Sequence, residues 1–171
     1  MIFDFWMYLW HRLNHRFPPL WRLHRVHHID PEMDATTAVR FHPLEVALGA
    51  LARVGVFVLV GIGGVQGLVY ALVFHPVIIF HHSNIALPEK WDRRLRVLIV
   101  TPNMHRVHHS VERAETDSNY GSVFSFWDRL VRTFRKRRDT RTITFGIPEF
   151  RGRRWNRLGG MLLNPFKGAS R

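Results

Sequence analysis

The sequence predicts an all-α integral membrane protein, a helical bundle in which a transmembrane hairpin carries a histidine-rich helical cap on its cytoplasmic side. Three observations lead there. From Val54 to Pro88 there are 35 consecutive residues without Asp, Glu, Lys or Arg. Ten of the 12 histidines fall into four tight groups, and the three- and four-residue spacings within three of them put the imidazoles on one helix face. Basic residues gather on both flanks of the apolar stretch and are missing from its glycine-rich middle, as two cytoplasmic flanks and an outside turn require.

With 171 residues, one domain is expected, long enough to bury a core. There is no cysteine, so disulfides and thiolate sites are excluded and any metal must be held by nitrogen and oxygen. The net charge of +12 suits an anionic membrane surface, nucleic acid or an acidic partner, and does not choose among them.

Met1 to Trp10 is aromatic and apolar apart from Asp4, and lacks the basic start and small-residue cleavage site of a signal peptide. It is too short to cross a bilayer alone and reads as the end of a helix that begins upstream. His11 and His15 follow, one helical turn apart, with Asp4 and Tyr8 on the same stripe. A carboxylate there is expected to orient a ligand histidine through its second ring nitrogen. Taken alone, such a pair suits an amphipathic interfacial helix equally well.

His24, His27 and His28 form the second group, closed by Pro31, and His105, His108 and His109 the third. The segment HRVHH occurs in both, and Thr101 and Pro102 supply an N-cap and first helical position for the second copy. Three imidazoles crowded on one face cannot all take a proton cheaply, so a metal that needs them neutral is the economical account. Eight such histidines exceed the needs of one four-coordinate ion and fit two, which two-metal sites hold about 3.5–4 Å apart.

A span needs about 20 apolar residues, so the uncharged stretch is too long for one, and adding Leu44 to Arg53 supplies a hairpin broken at Gly61, Gly63 and Gly64. One span, or a buried helix pair in a soluble protein, is the alternative. Arg53 opposes the hairpin, because a central arginine costs roughly 2.5–3.5 kcal/mol on insertion scales. The histidine groups favour it, because those before and after the stretch share a site only if the chain crosses an even number of times. His82 closes the stretch as a further candidate ligand and His81 as a weaker one, because adjacent histidines at a helix end often only face the interface. His42 and His75, each ahead of a proline, read as structural. Beyond Glu89 the chain turns basic, densest from Arg132 to Arg141, a run able to hold anionic head groups at about 1 kcal/mol per side chain. The expected organisation is one unit over residues 1–148 and a basic tail over 149–171.

No nucleophile elbow, P-loop or dinucleotide fingerprint is present. The uncharged stretch and the lack of a recognised binding motif also argue against nucleic acid as partner. Imidazole suits iron, zinc, copper and nickel alike. A polyhistidine site at a membrane face is placed to meet a lipid chain, and attack on an unactivated C–H bond needs a redox metal, oxygen and a separate electron donor.

The ordered blocks HRLNH, LWRLHRVHH, RFHPLE, HHSN, TPNMHRVHHS, DSNYG and WDRL, from Asp4 to Asp128, resemble the fatty acid hydroxylase / sterol desaturase superfamily. The resemblance implies a membrane-bound oxidoreductase that hydroxylates or desaturates a sterol, fatty acyl chain or related lipid, using O2 and an external electron-donor protein. It implies two iron ions, with zinc able to replace them in vitro, facing the cytoplasm. The implied ligands are His11, His15, His24, His27, His28, His105, His108 and His109, with His82 from the HSN block. Members generally carry further membrane helices ahead of the first box, and this chain is expected to lack them. The alternative is therefore a truncated, non-catalytic metal-binding membrane protein of the same family. Where the family continues WDRL with a Phe-Gly-Thr turn, this chain has Val131, Arg132 and Thr133, a change expected to affect packing more than chemistry.

Overall fold

Helix α1 (Ile2–Arg16) stops where Phe17 turns extended (φ −96°, ψ 120°), as the residue ahead of a proline must, and Pro18 then opens α2 (Pro18–His28) at its first position. The two helices pack on each other. The computed structural model that shows this describes residues 1–168, all helix, turn or loop with no strand among them; the last three residues of the expected tail lie outside the described residues.

A 3-10 turn at Ala35–Val39 leads into α3 (Pro43–Val60), and α4 (Gly64–His82) returns from it. The turn between them needs Gly61, whose φ of +70° is the left-handed conformation a glycine adopts at a helix C-terminus. Both helices are long and apolar enough to cross a membrane. Leu51, Val58, Leu59, Val65 and Leu72 stand exposed along them, a contiguous apolar surface that in a membrane protein lipid covers. The hairpin, not a single span, is thus the architecture, and both of its open ends meet the histidine-rich cap. His42 is structural: its Nδ1 accepts from the Leu44 N–H (3.2 Å) at the start of α3, and its Nε2 donates to the Leu162 carbonyl (3.3 Å).

The chain then forms α5 (Glu89–Leu95), α6 (Pro102–His108), α7 (Arg113–Thr116) and α8 (Phe126–Leu130). Thr101 caps α6, its Oγ1 accepting from the Met104 N–H (3.3 Å) while donating to the buried Asp92 (2.6 Å), which fixes α6 against α5. α6 also packs on α4, so the third histidine group meets the end of the hairpin.

Asp4 does not brace a histidine. It lies two turns before His11, about 10 Å along the helix, and meets a different wall. There its carboxylate accepts from the Tyr70 hydroxyl (2.9 Å), the Trp127 indole N–H (2.7 Å) and the backbone N–H groups of Val123 and Phe124 (3.3 and 3.4 Å), tying α1 to α4 and α8. Asp128 organises the neighbouring turn, accepting from the N–H groups of Tyr120 (2.8 Å) and Gly121 (2.9 Å) and from Thr133 Oγ1 (2.7 Å). A Cβ on Gly121 would stand 2.9 Å from Asp128 Oδ2, from the Phe124 carbonyl and from Val100, so this position admits only glycine. Arg132, where the family turn has glycine, takes a φ of +60° and carries a strain glycine would not, while Thr133 keeps its contact with the Tyr8 hydroxyl (2.9 Å).

The described residues 148–168 wrap α2 through short 3-10 turns and α9 (Leu158–Leu163). Arg25, 1 % exposed between His24 and His27, donates to Asn164 Oδ1 (2.8 Å) and to the carbonyls of Asn164 (2.5 Å) and Lys167 (2.7 Å), and lies 4.4 Å from the Phe150 ring centroid. Ile29, Phe150 and Trp155, with Ile147 and Met161, form an apolar cluster beside it.

Candidate metal centre

Four elements bring the histidines together. α1 presents His11 and His15, α2 His24, His27 and His28, the end of α4 His81 and His82, and α6 with its C-cap His105, His108 and His109. They sort into two groups. His11, His15, His24, His28 and His108 offer ring nitrogens that all lie within 4.8 Å of one another, and His27, His82, His105 and His109 do the same. The groups adjoin, with the His28 and His109 rings 4.4 Å apart and those of His27 and His28 5.3 Å.

The two copies of HRVHH divide between the groups in opposite ways. In α2 the i and i+4 rings, His24 and His28, belong to the group of five, and His27 reaches into the group of four. In α6 the i and i+4 rings, His105 and His109, belong to the group of four, and His108 reaches into the group of five. Residues four apart stand above one another on a helix, whereas the one at i+3 is rotated to the side, so each helix serves both groups.

Ring orientation within the group of five is set from outside it. His11 Nδ1 donates to the Tyr120 carbonyl (2.9 Å), His108 Nδ1 to the Ser118 carbonyl (2.7 Å) and His24 Nδ1 to the Glu45 carboxylate (2.6 Å). His15 Nδ1 lies 3.6 Å from Asp117 Oδ1. The Nε2 atoms of His11, His24 and His108 are then buried with no hydrogen-bond partner. In the group of four, His82 Nδ1 donates to the Ile78 carbonyl (2.8 Å), and its Nε2 faces His27 Nε2 at 3.1 Å and His105 Nε2 at 3.0 Å.

These atoms fit a metal. A buried polar atom left without a partner costs about 1–3 kcal/mol, and both nitrogens of His28 and the Nε2 of His109 add to those already named. An imidazole that gives Nδ1–H to a carbonyl or carboxylate and presents Nε2 is the arrangement metal-binding histidines use. The His82 Nε2 separations of 3.1 and 3.0 Å from the Nε2 atoms of His27 and His105 also suit ligands roughly 2.0–2.1 Å from one ion. Burial, then the neighbouring imidazoles, pushes His27, His28, His105 and His109 well below the usual imidazole range; His108 follows for the same reasons, and burial takes His11 down to about 3. The rings are therefore neutral, with lone pairs available, at any physiological pH.

Two residues were not singled out in the sequence as part of this centre. Glu45, 6 % exposed in the first turn of α3, holds His24. Its visible signal was to be the one acid between Pro43 and Pro88, inside the RFHPLE block. His81 is buried against His105, with ring centroids 4.1 Å apart, yet belongs to neither group. His75 is exposed on α4 and donates Nδ1–H to the Ala71 carbonyl (2.8 Å).

A cavity of about 350 Å3 opens on this centre from the hairpin. Glu45, Gly49 and Arg53 line it from α3, Phe74 and Ile78 from α4, and Trp10 from α1, with histidines of both groups at its inner end.

The family description "Fatty acid hydroxylase" matches residues 1–133. An ornithine lipid hydroxylase of Rhizobium tropici is 33 % identical over 147 residues, covering 78 % of this chain and 40 % of its own length. Human alkylglycerol monooxygenase is 28 % identical over 136 residues, covering 77 % of this chain and 28 % of its own. Human cholesterol 25-hydroxylase is 28 % identical over 141 residues, covering 79 % and 49 %. The chain thus spans less than half the length of these relatives. No solved structure matches it significantly.

Proposed function

Since the chain belongs to the fatty acid hydroxylase family, we propose that it is a membrane-bound di-iron oxygenase that hydroxylates or desaturates a lipid, with O2 and electrons from a separate donor protein. The observation that carries this reading is the pair of adjoining histidine groups at the inner end of a cavity that opens from an apolar hairpin. His11, His15, His24, His28 and His108 would hold one ion, and His27, His82, His105 and His109 the other. Two iron ions, when bound, supply the redox chemistry that an unactivated C–H bond demands.

The remaining work falls to the chain. Glu45 and the carbonyls of Tyr120 and Ser118 keep the ring protons of His24, His11 and His108 on Nδ1, so that Nε2 faces inward. Burial excludes water and disfavours a second proton on His11 and His108. Phe74, Ile78 and Trp10 give an acyl or sterol chain an apolar path from the hairpin to the histidines. The arginines Arg12, Arg16, Arg22 and Arg25 before the hairpin, with Lys90, Arg93, Arg94 and Arg96 after it, support a cytoplasmic cap.

Elemental analysis of the detergent-purified chain, beside a variant with His105, His108 and His109 changed to Ala, tests the reading. About two iron per chain, lost in the variant, is expected. Little metal in the unaltered chain would overturn it, and two ions without oxygen-dependent turnover of any lipid would leave metal binding alone.

A further inference from the structure

Between Pro43 and Pro88 only Glu45 and Arg53 carry charge. Glu45 is engaged by His24. Arg53 has no such use: it makes no ion pair and no hydrogen bond among the described residues, although an arginine inside an apolar span is costly to place and normally marks a functional position. It stands at the third position of the series Glu45, Gly49, Arg53, whose four-residue spacing keeps one helix face toward the cavity. It is also the single arginine or lysine lining that cavity. His75, on the same wall, already gives its Nδ1–H to the Ala71 carbonyl.

We propose that Arg53 binds the anionic group, a carboxylate or a phosphate, of the lipid that fills this cavity. A guanidinium recognises both through paired N–H donors, and Arg53 spends none of its donors on an ion pair or hydrogen bond among the described residues. Arg53 lies eight residues beyond Glu45, about 12 Å along the helix at 1.5 Å per residue. A lipid held there offers the histidines a carbon far along its chain, not the one beside its charged group. This rests on the reading of the histidine groups as the reacting centre; the binding of the anion does not.

The test is equilibrium binding of a radiolabelled long-chain fatty acid, an alkyl phosphate and a fatty acid methyl ester, all of matched length, to the detergent-purified full chain. The unaltered protein is expected to bind one of the two anions at least about tenfold more tightly than the ester, and the stronger names the source. Arg53→Leu is expected to erase that preference and Arg53→Lys to keep part of it. Equal affinity for acid, phosphate and ester in the unaltered protein, or a preference that survives Arg53→Leu, would overturn the proposal, as would failure to bind any of the three. Arg53→Leu removes a charge from a span, so its thermal midpoint should not fall; a fall would make Arg53 a structural residue and sink the idea. Metal content measured on the same samples separates the two readings. Two ions with no anion preference removes this inference alone, and an anion preference without metal removes the proposed function alone.

Discussion

Glu45→Gln changes one charged atom set at the edge of the histidine groups and nothing else of comparable size. The Glu45 carboxylate lies 2.6 Å from His24 Nδ1 in a buried setting, and His24 belongs to the group of five. A hydrogen bond to a charged group is worth about 1.5–3 kcal/mol and a neutral one about 0.5–1.5, so the amide forfeits roughly 1–1.5 kcal/mol. At about 1.4 kcal/mol per factor of ten, His24 would hold its ion some five- to twelve-fold less tightly, at the low end of the roughly 10–100-fold seen when a partner behind a ligand histidine is altered. Among the described residues Glu45 makes no hydrogen bond to a histidine of the other group, so only one of the two ions should weaken. Chelator competition, followed by metal content per chain, reads this directly. The expected trace for Glu45→Gln has one ion leaving at about a tenth of the chelator concentration needed in the unaltered protein and the second unmoved. Parallel weakening of both ions would refute the division into two groups, and no change in either would refute the role of Glu45.

The same division predicts that His108→Ala and His27→Ala each lower the content by about one ion, from different groups, whereas His75→Ala leaves it intact; equal losses in all three, by elemental analysis, would count against the assignment. Stability of the metal-free protein should depend on acid. His11, His27, His28, His105, His108 and His109 titrate below their ordinary 6.5 in the folded state, so their contribution is complete above 6.5 and is lost as pH falls, because the unfolded chain takes up protons the folded one refuses. At about pH 5.5 the unfolded chain is largely protonated at these rings while the folded one is not, so the thermal midpoint should fall below its value at about pH 7.5. Thermal unfolding of the metal-free chain at about pH 7.5 and 5.5 checks this, and a flat profile would contradict the burial of neutral rings. Arg132→Gly should relieve the positive φ and stabilise by about 1 kcal/mol, raising the thermal midpoint by roughly 2–4 °C; an unchanged or lower midpoint would mean the turn carries no strain.

Much of this architecture is visible in the sequence because it depends on neighbours along the chain. The uncharged run broken at Gly61, Gly63 and Gly64 predicts a hairpin, because it is too long for one span and each of two helices satisfies its own backbone in lipid. Thr101 and Pro102 mark the start of α6 through local capping chemistry. Spacing also shows that the histidines of each box share a face. It does not show what that face meets. The split of HRVHH between two groups depends on how α2 and α6 approach each other, which no periodicity records. Asp4 illustrates the same limit: its stripe on α1 was legible, but two turns of helix carry it to Tyr70 and Trp127 instead of to a ring. Arg25 belongs to the basic residues that flank the apolar stretch, and only the return of the chain at Asn164 buries it.

The cap that results has little of an ordinary core. Its centre is a group of buried imidazoles, with an apolar cluster around Phe150 and Trp155 on the outer side of α2. Such a centre gains little from the hydrophobic effect and leaves several ring nitrogens unpaired, so it is a poor reason for α1, α2, α4 and α6 to converge. Ligation changes that balance, because each bond to a metal satisfies a nitrogen that folding alone strands, and binding energy then becomes folding energy. The hairpin, by contrast, needs no metal to form, since its helices satisfy their own backbone and present apolar surface to lipid. Removal of metal should therefore loosen the cap while the hairpin stays inserted, which is why Arg53, rooted in the hairpin, can be tested for anion binding separately from the chemistry at the histidines.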